Sequence, residues 1–564
     1  MYERVQEWFF QFEVGAGVQW FRLGLFALLV VAVVVIYTGA RFFGLRDAEA
    51  MNLGQLGRNL WQRHSYVTQH IRPAALAHLA AVGRPPLRAD GTQPELWTPP
   101  VYPAVLAGVF QLAQPDFAKS GRASNVDRIL TGVAWVFFLV GLLLTYLLAR
   151  ALFDQRVAAL SAFLYLLCDP LLDAALAGLP LHFLMVLFLA VVYGVYQAEQ
   201  WQAAGKGGGW VTGALAVSAV TVAVGTLTRY AFAAVLVPLV GYVSAAFPKS
   251  RWRAGMCLAV FVLALAPWGA RNWRVSRTFW GLATYDLYEE TGLGTRREIR
   301  AGQLQRSYPP RAEDFWARRV VRKALLNLRT MYERAFKDVG ANYLIAFFLA
   351  GLLHRFRREE ISRLRWFVFW SMLAALVALS VETSTRWNFL NVFLPVVIIY
   401  AAAYFLVAFE RLQLRTRLWR YGITGLFVGL NALPLALTLL PPIRTLPYPP
   451  YDSRILAEIQ RMFRPDEMLA SDIPWAVAWY ADRSCLWVPN TREEFITIND
   501  NVRLVAGVYL TQETFLGLSG QQLAADALPF WAQLFRGMPA DFPLPVVYEM
   551  APQQAQILIS NRRR

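Results

Sequence analysis

The sequence predicts a polytopic α-helical membrane protein of about eleven transmembrane helices, with a small α/β extracytoplasmic domain at its C-terminal end. Three observations predict it. Of 564 residues, 57 % are hydrophobic and 16 % charged, against about 25 % charged in an average soluble chain. Mean hydropathy is +0.37, and a chain this long cannot bury such an excess in one water-facing core. The apolar residues also fall into discrete blocks, and the basic residues alternate between the connections that join them. This composition excludes disorder, a coiled coil and a secreted disulfide scaffold. The three cysteines, Cys168, Cys257 and Cys485, give no paired framework. The net charge of +17 comes with no DNA- or RNA-binding motif, so no nucleic-acid partner is expected.

Eleven apolar segments approach the length of about 20 residues that a bilayer crossing needs: 20–43, 129–149, 157–177, 179–198, 210–228, 230–247, 254–270, 339–353, 366–382, 389–409 and 421–441. The first follows Arg22, is long, and has no small-residue cleavage site after it, so it reads as an uncleaved span. With the N-terminus in the cytoplasm, the short inward connections 149–157, 199–209, 248–253, 354–365 and 411–420 carry fifteen Lys and Arg, whereas the short outward turns carry Arg229 and Arg386. That asymmetry follows the positive-inside rule. It predicts a multi-pass protein of a bacterial cytoplasmic (inner) membrane, with residues 1–441 as the transmembrane domain. Outer loops then cover 44–128 and 271–338, and the 442–564 domain lies outside. A proline-rich stretch, Pro441-Pro442 and Pro447-Tyr448-Pro449-Pro450, leads into that domain, where short apolar strands such as 504–510 and 546–550 alternate with helices. No internal repeat is visible, and Gly207–Gly209 lacks the Lys-Ser/Thr ending of a phosphate loop.

The first outer loop opens with Asp47-Ala48-Glu49, directly after the first span. A carboxylate held there can act as general base on a hydroxyl or ligate a divalent metal. The same pattern also suits a helix start, with Asp capping the first turn. Leu53, Leu56 and Leu60 share a helical face after it, suiting a helix in the membrane interface. Arg229, Arg271 and Arg386 all fall at outer ends of spans. A guanidinium fork there suits a lipid-borne phosphate; snorkelling to headgroups is the other use of such a residue. Asp169 and Asp173, at the exit of the third span, and His182, at the start of the fourth, are further polar positions for sugar or metal contacts, or for simple termination of a span in water. No Cys/His zinc spacing, Ser-His-Asp order or dinucleotide fingerprint appears, so a divalent metal is an open possibility rather than an assignment. The loop segment 313–337 reads as an Arg-rich amphipathic helix, and its loop as a lid.

In order along residues 20–410 stand Asp47-Ala48-Glu49, then Pro99-Pro100-Val101-Tyr102-Pro103, Asp169-Pro170, Leu227-Thr228-Arg229-Tyr230 and Pro267-Trp268-Gly269-Ala270-Arg271-Asn272. In this order and at these topological positions the chain resembles the GT-C superfamily of polytopic glycosyltransferases. Within it, the chain resembles the branch of dolichyl-phosphate-mannose protein mannosyltransferases and lipid A aminoarabinose transferases. The resemblance implies a polyprenyl-phosphate-linked sugar as donor and a lipid, glycan or protein hydroxyl as acceptor. It further implies Asp47 as catalytic carboxylate with Glu49 beside it, and Arg229 on the lipid phosphate with Arg271 and Arg386 as further contacts. The chain departs from the pattern at Thr98, where some members carry Lys, at Leu181-His182, where many carry Glu, and in having Ala between the two acids. A polysaccharide polymerase or ligase with a diphosphate-linked donor, a polytopic transporter, and a receptor or scaffold working through its tail are the alternative readings.

Overall fold

A computed structural model describes residues 16–117, 125–248, 250–289, 317–338, 342–382, 387–413, 416–441, 453–515, 529–537, 539, 542–551 and 555–561. Arg386, Lys249, Arg415, residues 313–316 and the proline-rich stretch from Pro442 onward lie outside these. The chain is a polytopic helical membrane protein that carries a small strand-containing domain after its last apolar helix. In the membrane part the helices are α1 (Ala16–Arg41), α5 (Asn125–Leu152), α6 (Gln155–Leu166), α7 (Asp169–Leu176), α8 (Leu181–Ala203), α9 (Gly208–Thr226), α10 (Leu236–Ala246), α11 (Ser250–Ser276), α13 (Asn342–Leu353), α14 (Glu359–Glu382), α15 (Leu394–Arg411) and α16 (Arg417–Leu439). The first loop supplies α2 (Ala48–Arg63), α3 (Pro73–Ala81) and α4 (Val101–Ala113), and α12 (Ala317–Asp338) precedes α13.

Each of the eleven apolar segments is helical over most of its described residues, but three depart from the single long span expected. Among the described residues eight helices are long and apolar enough to cross, or nine if one bent pair is counted as a span. That pair is α6 and α7, inclined at 53°. Pro170 sits in the first turn of α7 and Cys168 before it is extended; a proline starts a helix readily but cannot continue one. The 230–247 segment begins as a 3₁₀ turn, Tyr230–Val235, after an extended Arg229, and only then becomes α10. The 339–353 segment yields the twelve-residue α13. Lipid supplies no hydrophobic drive between spans, so these helices cohere by close packing. Phe188 meets Phe393 edge-on at 4.7 Å and Phe405 stacks on Phe427 at 4.0 Å.

The layer beyond the helices is a composite of first loop and tail. Its six-stranded sheet has the order β2-β5-β4-β6-β8-β7, where β2 is His70–Ile71, β4 Met468–Ser471, β5 Cys485–Trp487, β6 Val505–Leu510, β7 Val546–Ala551 and β8 Gln556–Ser560. The first four of these run parallel and β8 and β7 antiparallel. A first-loop strand thus forms the edge of the tail's sheet. A separate two-stranded pair, β1 (Val67–Thr68) with β3 (Gln93–Pro94), lies within the first loop.

The leucine face of α2, which suited the membrane interface, is covered by protein. Every residue from Ala50 to Asn59 is buried, because α4 covers one side and the tail the other. Gly54 and Gly57 permit that closeness: a Cβ would stand 2.8 Å from Trp479 at the first and 2.8 Å from Leu106 at the second. Its polar side chains are spent internally. Gln55 donates to Thr68 Oγ1 (2.8 Å) and Asn59 to the Val67 carbonyl (3.0 Å). Arg58 donates to the carbonyls of Ala478 (2.6 Å) and Trp479 (3.0 Å) and pairs with Asp482 at 2.9 Å.

Candidate functional site

A cavity of about 880 Å³ opens where the helices meet the sheet layer. Its lining comes from widely separated parts of the chain. The start of α2 contributes Asp47, Glu49, Asn52 and Leu53, and the Trp97-Thr98-Pro99 segment follows. The break after α9 contributes Thr226, Thr228, Arg229 and Tyr230; the 3₁₀ turn Ala283–Leu287 and the end of α14 contribute Asp286 and Glu382. The sheet contributes His70, Arg72, Asp472, Trp475, Trp487 and Glu513.

Asp47 is the N-cap of α2, extended at φ −91°, ψ 127°, and accepts the Glu49 N–H at 2.7 Å. The helix-start reading of this motif is therefore correct as local structure, and the same cap aims both acids at the cavity. Positive helix-terminal dipoles favour the ionised carboxylate there.

Arg229 owes its place to the chain break. Helix α9 ends at Thr226, the Arg229 N–H returns to the Gly225 carbonyl at 2.8 Å, and the backbone turns extended before the 3₁₀ segment. The guanidinium lies over the Phe389 ring, 5.2 Å from its centre. Its Nε and one terminal nitrogen are buried without a hydrogen-bond partner among the described residues. A buried donor left unmet costs free energy of about 1–3 kcal/mol, so an acceptor arriving in the cavity would relieve that cost.

The Pro-Pro segment is held by buried Glu95. One of its oxygens accepts the N–H groups of Trp97 (2.8 Å) and Thr98 (2.9 Å), and the other pairs with Arg72 at 3.2 Å. Tyr66 donates to the carbonyls of Thr98 (2.9 Å) and Pro99 (3.0 Å). Burial, reinforced by Glu95, keeps that phenol well above its ordinary pKa, so it stays a neutral donor. Val101 N–H bonds the Leu227 carbonyl at 3.0 Å, fastening this segment to the Arg229 turn.

Arg271 sits elsewhere than on the cavity wall. It donates to the Glu95 carbonyl at 2.6 Å, the Tyr66 carbonyl at 3.2 Å and Asn272 Oδ1 at 2.9 Å, and lies over Trp268. It braces the first-loop backbone. Asp169 accepts from Tyr37 (3.1 Å) and Thr438 (3.4 Å), and Asp173 stands 3.9 Å from Arg41; the pair joins α7 to α1 and α16, away from the cavity. His182 is fully buried in α8, its Nε2 2.9 Å from the Leu171 carbonyl. Arg386 lies outside the described residues. The cavity thus brings together Asp47, Glu49 and Arg229 from the predicted set.

Sequence reasoning missed Asp286, Glu382, Asp472, Glu513, His70 and Arg72. Glu382 carried a readable signal, an acid closing an apolar span as Asp47 follows one. The others are ordinary polar residues of loops. No group of three or more His, Cys, Asp or Glu with metal-holding geometry occurs among the described residues.

No family model matches the sequence, and no curated protein matches it. Solved structures do. ArnT from Cupriavidus metallidurans bound to undecaprenyl phosphate aligns with a TM-score of 0.56 at 14 % identity, covering 96 % of this chain and 98 % of that one; its apo form gives 0.52 at 12 % with the same coverage. The archaeal oligosaccharyltransferase AglB from Archaeoglobus fulgidus, in complex with an inhibitory peptide and a dolichol-phosphate, gives 0.53 at 12 %, covering 88 % and 70 %. Identity this low speaks to architecture alone, and the architecture agrees along nearly the whole chain: it has the GT-C fold that its ordered motifs resemble.

Proposed function

We propose that this protein is a membrane glycosyltransferase that moves a monosaccharide from a polyprenyl-phosphate donor to an acceptor hydroxyl at the outer face, inverting the anomeric centre. One observation carries the reading: Asp47, Glu49 and Arg229 line the same cavity, and two Arg229 nitrogens lack partners there. The fold shared with transferases solved with lipid phosphates supports it.

In this mechanism the donor phosphate takes the free nitrogens of Arg229. Its tail runs down an apolar groove of about 810 Å³ between α10 and α14, lined by Val237, Gly241, Trp370 and Val377. Groove and cavity share Ala378. The acceptor oxygen attacks the anomeric carbon as its proton passes to the carboxylate of Asp47 or Glu49. The bond from that carbon to the phosphate oxygen breaks, and its electron pair leaves on the polyprenyl phosphate. Arg229 meets the growing negative charge as a donor fixed in place by the turn that carries it.

The test is transfer by the purified full chain from a panel of polyprenyl-phospho-sugars, with and without chelator, compared with a polyprenyl-diphospho-sugar. Turnover of a monophosphate donor that Arg229→Ala weakens is the expected result. Turnover confined to the diphosphate donor, or equal donor dependence in wild type and Arg229→Ala, overturns the reading.

A further inference from the structure

The cavity has a second wall, built from the carboxyl ends of the four parallel strands. β2 ends into Arg72, β5 ends at Trp487, β4 ends into Asp472 and β6 leads through Thr511 to Glu513. Arg72, Trp487, Asp472 and Glu513 all line the cavity. The chain passes from β4 to β5 on one side and then across to β6 on the other, so the strand order reverses beside β4. In open α/β sheets the crevice beyond the strand carboxyl ends, at such a reversal, is where ligands bind. Asp472 is fixed in that crevice, accepting from Thr511 N–H (2.9 Å), Thr511 Oγ1 (2.9 Å) and Thr514 Oγ1 (2.8 Å).

Three aromatic rings complete this wall. Trp475 and Trp487 stand perpendicular with centres 5.9 Å apart, and the His70 ring lies 6.1 Å from the first and 5.6 Å from the second. Trp475 is half-buried. Trp487 is 9 % exposed, and its indole N–H has no hydrogen-bond partner among the described residues.

We infer that this wall is the acceptor subsite and that its ligand is a carbohydrate ring, an inference that rests on the transferase reading above. A pyranose presents slightly positive C–H groups from one face, which suit the negative face of an indole. Its rim presents hydroxyls, which donate to carboxylates such as Glu513 and accept from an indole N–H. An extended peptide is recognised through a strand edge, and here the four strands meet the cavity with their ends. One cavity then holds all three parts: Arg229 for the donor phosphate, Asp47 and Glu49 as carboxylates, and Trp475 and Trp487 for the acceptor ring.

Saturation-transfer NMR on the full chain in lipid nanodiscs tests this. The probes are methyl glycosides of glucose, galactose and N-acetylglucosamine, and a Ser/Thr hexapeptide; binding of radiolabelled undecaprenyl phosphate is read on the same samples. A glycoside signal is expected from the wild type and none from the peptide. Trp475→Ala weakens glycoside binding about tenfold and Trp487→Phe, which keeps the ring and loses the N–H, about fivefold. Trp475→Phe retains most of it, which separates stacking from folding. Both Trp variants keep lipid-phosphate binding. The inference is overturned if the wild type gives no glycoside signal, if the peptide saturates in place of the glycosides, or if Trp475→Ala and Trp487→Phe bind glycosides as the wild type does. Should glycoside binding respond to these Trp variants while Arg229→Ala leaves lipid-phosphate binding unaltered, the acceptor wall stands and the donor assignment falls.

Discussion

The two walls of the cavity are made by opposite means. On the helical wall, Arg229 is a cation at a break in an apolar helix pair, with two nitrogens unmet among the described residues. On the sheet wall, Asp472 is a carboxylate saturated by three donors of its own domain. An unmet donor marks a place where a ligand supplies the partner. A saturated acid marks a place where the protein sets a shape. The helical wall is therefore poised for charge and the sheet wall for form, and substitutions on the two should fail differently.

The largest effect is expected between the walls. Asp47→Asn keeps the N-cap, since Asn caps as well as Asp, but removes the base. Turnover should fall by about 10²–10⁴-fold with the protein's thermal midpoint unaltered, measured by transfer rate and by scanning fluorimetry on one preparation. If Asp47→Asn is silent and Glu49→Gln shows the loss, the base is Glu49; if neither variant alters turnover, the carboxylates have only the structural role that the cap displays.

Next comes the joint that sets one wall against the other. Arg58 is buried in α2, whose first turn carries Glu49, and its guanidinium binds two carbonyls and Asp482 of the tail. Burial pulls its pKa down and Asp482 pulls it back. Arg58→Met strands those carbonyls. Breaking a buried pair costs about 3–5 kcal/mol; Asp482 is a third exposed, so the low end applies. The expected signs are a lower thermal midpoint and faster proteolysis within 453–515. A variant as stable as the wild type would mean that the walls are held independently.

Arg229→Ala should weaken donor binding and also slow the chemical step, since the same guanidinium meets the leaving phosphate's growing charge. A charge-assisted hydrogen bond contributes about 1.5–3 kcal/mol, so the donor KM should rise about 10- to 100-fold, and stability should hold or improve as an unmet buried donor disappears. Arg229→Lys keeps charge but loses the fork and should recover only part of the loss. A fall in stability without a change in donor KM would place Arg229 with the saturated groups.

How far these walls were legible in the sequence follows from the same contrast. Asp47, Glu49 and Arg229 interrupt apolar runs, so each stands out against a background where charge is costly. Arg271 stands out equally, yet its donors go to carbonyls of residues 66 and 95, a partnership that only the folded loop reveals. The same holds for Asp169 with Tyr37. The sheet wall was invisible for a different reason. β2 is two residues long, too short to show a period, and its pairing with Cys485–Leu486 spans some 400 positions. The tail's α/β character could be read from its strands; that the first loop completes its sheet could not. The break at Pro170 was readable in principle, since proline lacks the N–H that would continue the preceding helix through it, but block hydropathy averages across such a position.

The smallest expected effect concerns a group on neither wall. Lys323 of α12 is buried, 2 % exposed, and donates to the carbonyls of Asp286 (2.7 Å) and Glu382 (2.9 Å). Both of those residues line the cavity. Asn327, one turn on, donates to the Ser380 carbonyl at 2.8 Å, so α12 is fastened to α14 at two points. The loop expected as a lid thus lines the cavity at its Ala283–Leu287 turn and backs that turn with an anchored helix, and Lys323 is a positioning residue that sets where two carboxylate-bearing segments stand. Lys323→Met should lower kcat/KM about tenfold, the worth of one charge-assisted bond. Asn327→Ala removes the second fastening without touching the Asp286 and Glu382 carbonyls. If both variants lower the thermal midpoint alike and only Lys323→Met lowers kcat/KM, the lysine orders the cavity rim. If activity tracks stability in both, Lys323 holds a helix and nothing more, and the helical wall owes its form to the spans alone.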